Sequence, residues 1–293
     1  RKISIMHIAI GIPAFNEEGI IGNFLCELVQ ILDQADDDYE IIVINDCSTD
    51  KTREEAIALQ IPITLIDHTN NKGYGAAIKT GMVKAAFETI VITDADSTYP
   101  NTSIPELVSI AEGEDLDMVV GARVGKNVKI PLIRKPAKWV ITKLANYLSG
   151  TRIPDLNSGL RVMKKSVVDK FANILPNGFS FTTTITLAML TNNHSVKYIP
   201  IDYFKRKGKS KIRPIKDTLN FTQLIIRTVL YFNPLKIFVP LSMFLVLFAF
   251  LILILSWFLL GSVLDTTFGI IIMTAVMVLA IGMLADLVDK RIQ

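Results

Sequence analysis

The chain has little cysteine and little histidine. Its 293 residues include 2 Cys and 3 His. The two cysteines, Cys26 and Cys47, are too few for a disulfide framework, which favours a reducing compartment. The histidines, His7, His68 and His194, have no metal-ligand spacing, so they predict no histidine metal site.

Charge is absent from two apolar runs near the C-terminus. No charged residue occurs from Ile237 to Leu264 or, after Asp265, from Thr266 to Ala285. Each run is long enough to cross the ~30 Å hydrocarbon core of a bilayer at about 1.5 Å per residue. Core helices, the alternative, are shorter and less uniformly apolar. We therefore expect a multi-pass membrane protein with spans at about 237–260 and 266–286.

Basic residues flank this hairpin, and its connecting loop has none. Lys236 precedes the first span, and Lys290 and Arg291 follow the second. The positive-inside rule then places both ends, and the whole N-terminal portion, in the cytoplasm. No signal-peptide pattern is present at the N-terminus. The expected location is the cell membrane or an ER-type membrane, and a homo-oligomer built through the spans is left open.

Acidic residues are missing from two basic stretches. Residues 118–154 and 203–216 together hold 15 of the 31 Lys and Arg residues. An anionic membrane surface is favoured over nucleic acid, because the second stretch leads through one more helix into the first span. Residues 131–149 have the pattern of an amphipathic interface helix, although an ordinary surface helix has the same pattern. A second amphipathic helix is expected over 213–235.

The N-terminal part alternates between short apolar runs and amphipathic segments. The apolar runs predict strands over His7–Pro13, Glu40–Asn45, Pro62–Asp67, Thr89–Thr93 and Asp117–Gly121. Helices are predicted over Glu17–Gln34, from about Thr49, over Gly75–Phe87 and from about Ser103. This alternation indicates an α/β domain over 1–212, with an open, mostly parallel sheet covered on both faces. Ligands bind to such sheets at the carboxyl ends of the strands.

Polar motifs follow the first three strands at that edge. They are Pro13-Ala14-Phe15-Asn16-Glu17, Asn45-Asp46-Cys47-Ser48-Thr49-Asp50 and Asn71-Lys72-Gly73-Tyr74-Gly75-Ala76. The glycines permit a ligand to approach the backbone closely, and the following helix N-terminus favours phosphate. Helix capping by Asn16, Ser48 or Thr49 explains the first two motifs equally well. His68 is expected to be a surface histidine, with a nucleotide contact as the alternative.

Asp94-Ala95-Asp96 follows the fourth strand. Two carboxylates at the mouth of a parallel sheet are the hard oxygen ligands that Mg²⁺ or Mn²⁺ prefers. A metal there would neutralise charge on a departing phosphate, which indicates group transfer from a nucleotide-activated donor. The alternative is a solvated turn that caps the next helix.

Three further motifs complete an ordered set: Gly121-x-Arg123, Asn157-Ser158-Gly159-Leu160-Arg161 and Arg206-x-Gly208-x-Ser210-Lys211. The whole set resembles family 2 glycosyltransferases of the GT-A fold, and within them the polyprenyl-phosphate and dolichol-phosphate sugar synthases. The resemblance covers residues 7 to about 235 and extends to the two-span tail. It implies a membrane-bound, metal-dependent, inverting enzyme. Such an enzyme would transfer one sugar, glucose or mannose, from a UDP- or GDP-sugar to a polyprenyl or dolichyl phosphate.

The resemblance also implies residue roles. The nucleotide-sugar site would comprise Pro13, Phe15, Glu17, Asp46, Lys72, Gly73 and Ala95. The catalytic residues would be Asp94, Asp96, Arg123 and Arg161, of which the two aspartates hold the metal, Mg²⁺ or Mn²⁺. The acceptor phosphate would be bound by Arg123, Asn157, Ser158 and Arg161. A mobile loop closing over the phosphates would contribute Lys205, Arg206, Ser210 and Lys211.

Some positions depart from the family pattern. The family commonly has two acids and a glycine where this chain has Asn45-Asp46-Cys47, and Thr98 stands where relatives often have a further metal ligand. The helix predicted over 179–192 carries no carboxylate, which favours a phosphate acceptor over a sugar hydroxyl that would need a general base.

The sequence is also compared with two rival functions. A processive polysaccharide synthase would carry a Gln-x-x-Arg-Trp motif, whereas here the Leu-Ile-Ile-Arg after Gln223 is followed by Thr228. An inactive, membrane-tethered nucleotide-sugar-binding relative is disfavoured by the intact Asp94, Asp96, Ser158 and Arg161.

Overall fold

A computed structural model describes most of the chain. The described residues are 7–35, 38–124, 142–147, 149–178, 180–204, 223, 226–227, 230–231, 233–262 and 264–292. The basic-loop residues Lys205, Arg206, Ser210 and Lys211 lie outside them, as do most of the helices expected over 131–149 and 213–235. The chain divides into two compact units, Arg1–Leu224 and Ile225–Gln293. The boundaries expected at 212 and 235 stay predictions.

The first unit is built on a mixed sheet that has seven strands in the described part. The strands are β1 (His7–Ala14), β2 (Asp38–Asn45), β3 (Ile63–Asp67), β4 (Thr89–Ile92), β5 (Met118–Ala122), β6 (Arg161–Lys164) and β7 (Val196–Pro200). Their order across the sheet is β3-β2-β1-β4-β6-β5-β7. β6 is antiparallel to both of its neighbours, and the other pairings are parallel.

Helices connect these strands. They are α1 (Ile21–Ala35), α2 (Thr52–Ala58), α3 (Tyr74–Lys84), α4 (Ile104–Gly113), α5 (Lys165–Lys170) and α6 (Phe181–Thr191), with a 3-10 turn over Asn101–Ser103. Successive residues of β1 are buried, Ile8, Ala9 and Ile10 among them, so both faces of this strand are covered. Such continuous burial is typical of the parallel part of an α/β sheet.

The centre of the sheet contains a strand that the sequence did not predict. β4 and β5 do not pair, because β6 lies between them and runs antiparallel to both. The sequence of β6 is Arg-Val-Met-Lys, which has neither a long apolar run nor an alternating pattern. β7 was also not predicted. Its register with β5 places Gly121 opposite Ile199 at the carboxyl edge.

The second unit is a helical hairpin of α7 (Leu235–Leu260) and α8 (Asp265–Ile292). Ser242 Oγ donates to the carbonyl oxygen of Ala275 across the pair at 2.9 Å. Gly282 lets the helices approach closely, since a Cβ there would meet the side chain of Phe238 at 2.4 Å. Within the described residues, two segments are long and apolar enough to cross a membrane, Leu235–Leu259 and Asp265–Val288, with mean hydropathies of 3.0 and 2.6.

Candidate active site

The loops after β1 and β2 are joined by hydrogen bonds at the carboxyl edge of the sheet. The N–H of Asn16 donates to Ser48 Oγ at 3.1 Å, and the N–H of Thr49 donates to Asn16 Oδ1 at 2.9 Å. The N–H of Glu17 donates to Thr52 Oγ1 at 2.8 Å. The capping interpretation is therefore wrong for these side chains, because they bind the neighbouring loop instead of their own helix.

Three residues of this edge have a left-handed backbone. The φ angles of Asn16, Cys47 and Ser97 are 56°, 62° and 56°, and these residues follow β1, β2 and β4. Residues other than glycine adopt this conformation uncommonly, and such residues cluster at active sites. Gln60, Asp115 and Asn193 also have positive φ. The three loops therefore carry local backbone strain at the edge where ligands of α/β sheets bind.

Asp46 organises the middle of this edge. Its Oδ1 accepts from the N–H of Lys72 at 2.9 Å, and its Oδ2 accepts from the N–H of Gly73 at 2.8 Å. Burial opposes the charged carboxylate, yet hydrogen bonds from His68 and from these two amides lower the pKa of Asp46 below its usual 3.8. With His68, three of its roughly four acceptor positions are used. A contact from Asp46 to the nucleotide base stays a prediction.

His68 is buried, so the prediction of a surface histidine is wrong. Its Nδ1 lies 2.7 Å from Asp46 Oδ1, and its Nε2 lies 2.9 Å from Thr80 Oγ1 on α3. The side chains of His68 and Asp46 are 3% and 5% exposed. A polar residue directly after a buried strand was the available signal, and it did not distinguish a buried from an exposed histidine.

Gly73 and Gly75 make room for the protein's own chain. A Cβ on Gly73, whose φ is +95°, would lie 2.6 Å from the carbonyl oxygen of Asn177. A Cβ on Gly75 would lie 2.2 Å from that of Pro176. The N–H of Ala76, in the first turn of α3, donates to Asn177 O at 3.0 Å. The expectation that these glycines admit a ligand at a free helix N-terminus is therefore corrected: residues 176–178 occupy that place.

Asp94 and Asp96 lie half-buried in the loop after β4. Asp96 Oδ1 accepts from both the hydroxyl and the N–H of Thr98, at 2.6 and 3.1 Å. Thr98 therefore orients Asp96. Burial and the nearby Asp94 carboxylate, to which the phenol is also hydrogen-bonded, raise the pKa of Tyr74.

The Asp94 carboxylate and its neighbourhood fit a divalent cation. The two carboxylates are hard oxygen donors on one loop, as Mg²⁺ and Mn²⁺ sites use. A Cβ on Gly159 would lie 2.7 and 2.9 Å from the two oxygens of Asp94, so the missing side chain leaves space at the carboxylate. The described residues contain no group of three or more His, Cys, Asp or Glu side chains placed to hold a metal. Asp94 and Asp96 would thus bind the ion together with oxygens of a diphosphate.

Ser158 and Arg161 are fully buried, at 0% exposure each. Ser158 Oγ donates to Gly121 O at 2.5 Å, and Arg161 Nε donates to Ser158 O at 2.7 Å. Arg161 also donates to Leu156 O at 3.0 Å and to Thr186 Oγ1 at 2.6 Å. In this conformation neither side chain reaches a ligand, unlike the expected phosphate contact. Both side chains instead fix the backbone of residues 156–158 by hydrogen bonds from the buried side of the loop. Burial lowers the pKa of Arg161.

Asn157 and Arg123 are the members of the expected acceptor site that remain accessible. Asn157 is exposed, and its Oδ1 accepts from the hydroxyl of Thr183 on α6. Arg123 has a side chain that is 23% exposed, and it forms a bidentate pair with Asp155, with Nε–Oδ2 at 2.7 Å and Nη2–Oδ1 at 2.9 Å. Asp155 was missed by sequence reasoning, although it is the first acid after the basic stretch.

Tyr99 and Tyr203 connect these loops. The Gly159 N–H donates to the Tyr99 hydroxyl at 2.7 Å, and the Tyr99 and Tyr203 rings pack edge to face at 5.2 Å. The guanidinium of Arg123 lies 5.1 Å from the centre of the Tyr203 ring. The N–H of Phe204 donates to Thr98 O at 2.9 Å. The start of the second basic stretch, residues 203–216, is therefore bonded to the loop that carries Asp94 and Asp96.

The remaining predicted positions lie around the same edge. Phe15 is 38% exposed, Glu17 is buried in the turn before α1, and Pro13 pairs with Ile44 in the sheet. Ala95 is buried between the two aspartates.

Comparison with known sequences decides the family. The signature described as Glycosyl transferase family 2 matches residues 9–171, more than half of the chain. The chain belongs to glycosyl transferase family 2. It is therefore a glycosyltransferase of GT-A fold, as the motifs predicted.

Three curated proteins that are similar to this glycosyltransferase are named for a lipid phosphate. The dolichyl-phosphate hexose transferase of Haloferax volcanii is 25% identical over 76% of this chain and 94% of its own length. The dolichol-phosphate mannosyltransferase of Pyrococcus furiosus is 28% identical over 71% of this chain and 60% of its own. The undecaprenyl-phosphate 4-deoxy-4-formamido-L-arabinose transferase of Pseudomonas fluorescens is 30% identical, with 69% and 63% covered.

Solved structures confirm the fold. Glucosyl-3-phosphoglycerate synthase from Mycobacterium tuberculosis, in complex with Mn²⁺, UDP and phosphoglyceric acid, superposes with a TM-score of 0.59. The identity is 18%, and 78% of each chain is covered. The same enzyme has also been solved with Mg²⁺ and UDP.

Proposed function

We propose that this family 2 enzyme is a polyprenyl-phosphate sugar synthase. It transfers one sugar, glucose or mannose, from a UDP- or GDP-sugar to a polyprenyl or dolichyl phosphate, with inversion at the anomeric carbon. The observation that carries the proposal is the 2.9 Å hydrogen bond from the N–H of Phe204 to the carbonyl oxygen of Thr98. It brings the start of a stretch with seven basic and no acidic residues to the loop of Asp94 and Asp96. The names of the curated relatives support the same acceptor class.

The donor binds across the loops after β1, β2 and β4. The Phe15 ring and the buried carboxylates of Glu17 and Asp46 bound the base and ribose, and Lys72 lies beside them. The diphosphate faces Asp94 and Asp96. A divalent cation held there would neutralise charge on the departing nucleoside diphosphate.

The acceptor supplies its own nucleophile. A phosphate monoester is ionised at neutral pH, so its oxygen attacks the anomeric carbon without a protein base. The bond from phosphate oxygen to anomeric carbon forms as the bond from that carbon to the diphosphate oxygen breaks, and the nucleoside diphosphate leaves. In the described part of the chain, α6 carries no carboxylate beside Asn157, which agrees with this chemistry.

The protein contributes position and charge. Arg123, held by Asp155, and Asn157, held by Thr183, are the members of the expected acceptor site that remain accessible. Lys205, Arg206, Ser210 and Lys211 close over the two anions. Positioning and electrostatic stabilisation of this kind supply most of the rate enhancement in such transfers.

The membrane places the acceptor within reach. We propose a cytoplasmic catalytic domain over 1–212, interface helices at 131–149 and 213–235, and a hairpin over 236–293 whose two helices span the bilayer. A basic, apolar-faced surface of this type binds an anionic membrane and the lipid phosphate it contains.

A donor panel tests the proposal. The full chain in detergent is incubated with Mn²⁺ or Mg²⁺, a short-chain prenyl phosphate and UDP- or GDP-glucose or mannose. We expect a glycosylated prenyl phosphate from one nucleotide series and no product with EDTA. Nucleotide binding without turnover of any donor would favour the inactive relative, and polymer formation would favour a processive synthase.

A further inference from the structure

A buried histidine lies behind the nucleotide side of the site and has no assigned role. His68 sits between Asp46, at the end of β2, and Thr80, in the middle of α3. Asp46 in turn holds the N–H groups of Lys72 and Gly73. The end of β2 and the loop between β3 and α3 thus meet at one carboxylate, and a single imidazole ring connects that carboxylate to α3.

We propose that His68 is a positioning residue for nucleotide-sugar binding, acting through Asp46 on the loop of Lys72 and Gly73. The inference rests on the proposed function in one respect, that this loop and Asp46 line the donor pocket. His68 itself touches no donor. Its hydrogen bond positions the Asp46 carboxylate, and the carboxylate in turn positions the backbone of Lys72 and Gly73.

The partners of the two ring nitrogens explain why His68 is suited to this role. A carboxylate only accepts, so Nδ1 of His68 carries the proton of the bond to Asp46. The other ring nitrogen, Nε2, lies 2.9 Å from Thr80 Oγ1, which itself lies 3.0 Å from the carbonyl oxygen of Ala76. The ring is therefore oriented from two sides, by the Asp46 carboxylate and by the Thr80 hydroxyl.

Several contacts constrain the backbone beside this carboxylate. Cys47, directly after Asp46, has a left-handed φ of 62°, and strained conformations persist only where surrounding contacts hold them. Residues 176–178 pack against Gly73 and Gly75. The bonds from Lys72 and Gly73 to Asp46 also hold the loop, and His68 is a side chain that orients their acceptor.

Four variants of the full-length protein in detergent test the inference. His68→Leu removes both ring bonds, and His68→Asn keeps a donor at the place of Nδ1. Thr80→Val removes the outer ring bond together with the bond from Thr80 Oγ1 to Ala76 O within α3. His7→Leu is the matched control, because His7 pairs with Asp38 at 3.0 Å in an exposed site at the start of β1. The readouts are UDP and GDP affinity by calorimetry with Mn²⁺, the KM for donor and for prenyl phosphate, and thermal unfolding.

We expect His68→Leu to weaken nucleotide binding by about 10-fold and to raise donor KM equally, with acceptor KM unchanged. His68→Asn should stay within about threefold of wild type, Thr80→Val should lose at least about threefold, and His7→Leu should match wild type. A folded His68→Leu that binds nucleotide as wild type does would overturn the inference, as would an equal rise in acceptor KM. If His68→Leu does not fold, unchanged binding in Thr80→Val overturns it. Wild-type protein that binds neither nucleotide would instead refute the proposed function.

Discussion

Gly159 lies against the carboxylate of Asp94 so closely that no side chain fits between them. A Cβ on Gly159 would be 2.7 Å from Asp94 Oδ2 and 3.0 Å from its Cγ. The motif Asn157-Ser158-Gly159-Leu160-Arg161 therefore touches Asp94, the first of the two proposed metal ligands. This contact joins the expected acceptor side of the site to the donor side.

The contact predicts the effect of Gly159→Ala. The added methyl must displace the Asp94 carboxylate, so we expect kcat to fall at least about 10-fold and the Mn²⁺ requirement to rise. Gly178→Ala is the control, since nothing lies within 4 Å of a Cβ there. Metal titration of the transfer rate checks the prediction. Equal metal dependence in Gly159→Ala and Gly178→Ala would show that the Asp94 carboxylate does not hold the ion.

Asp96 and Thr98 form a second testable pair. Asp96→Asn keeps the shape but removes the charge, and we expect transfer to fall at least about 100-fold with membrane insertion intact. Thr98→Val removes the hydroxyl that donates to Asp96 at 2.6 Å, so we expect an intermediate loss. Asp115→Asn, at an exposed carboxylate paired with Lys164, is the matched control. Wild-type rates in Asp96→Asn would refute the metal assignment.

Cys47 is a site where a smaller residue should stabilise the protein. Its φ of 62° costs a side-chain-bearing residue about 1–2 kcal/mol, whereas glycine adopts this angle freely. After the larger backbone entropy loss of glycine, we expect Cys47→Gly to gain about 0.5–1 kcal/mol, or roughly 1–4 °C in Tm. Cys47→Ala keeps the strain and should gain nothing. A Tm gain in Cys47→Ala equal to that in Cys47→Gly would show that the thiol, and not the backbone, is responsible.

The Arg123–Asp155 pair predicts a pH-dependent stability. Burial opposes ionisation of Asp155, but its bonds with Arg123 outweigh burial and hold its pKa below the usual 3.8. Its contribution is therefore complete above about pH 4 and is lost as the pH falls through the lower, folded-state pKa. Asp155→Asn should cost roughly 3 kcal/mol at pH 7. The Tm difference from wild type should shrink below pH 4, whereas a difference independent of pH would contradict the account.

The sequence predicted the outer framework of the site well and its interior poorly. β1 to β5 are apolar runs bounded by turn residues, so their periodicity and length identify them within a few residues. β6 is four residues long and begins with a charged arginine, so no local pattern marks it as the strand between β4 and β5. Its position is decided by tertiary packing.

The predictions for individual residues likewise succeeded where local sequence was sufficient and failed where distant segments meet. Asp94-Ala95-Asp96 was recognised because spacing alone brings two carboxylates to one loop. Asp155 was missed, because its partner Arg123 lies 32 residues earlier in the chain. Gly75 was assigned to a ligand because the sequence does not reveal that Pro176 passes beside it. Contacts between distant segments, not local propensity, decide these cases.

The most direct test of the central claim is identification of both products of one turnover. Full-length protein, a prenyl phosphate and the preferred nucleotide sugar are analysed by ³¹P NMR and mass spectrometry, with Asp96→Asn beside the wild type. The account predicts a nucleoside diphosphate and an inverted sugar–phosphate–prenyl diester in equal amounts, both absent with Asp96→Asn. Release of a nucleoside monophosphate, retention at the anomeric carbon, or transfer to a sugar hydroxyl with the prenyl phosphate unchanged would contradict it.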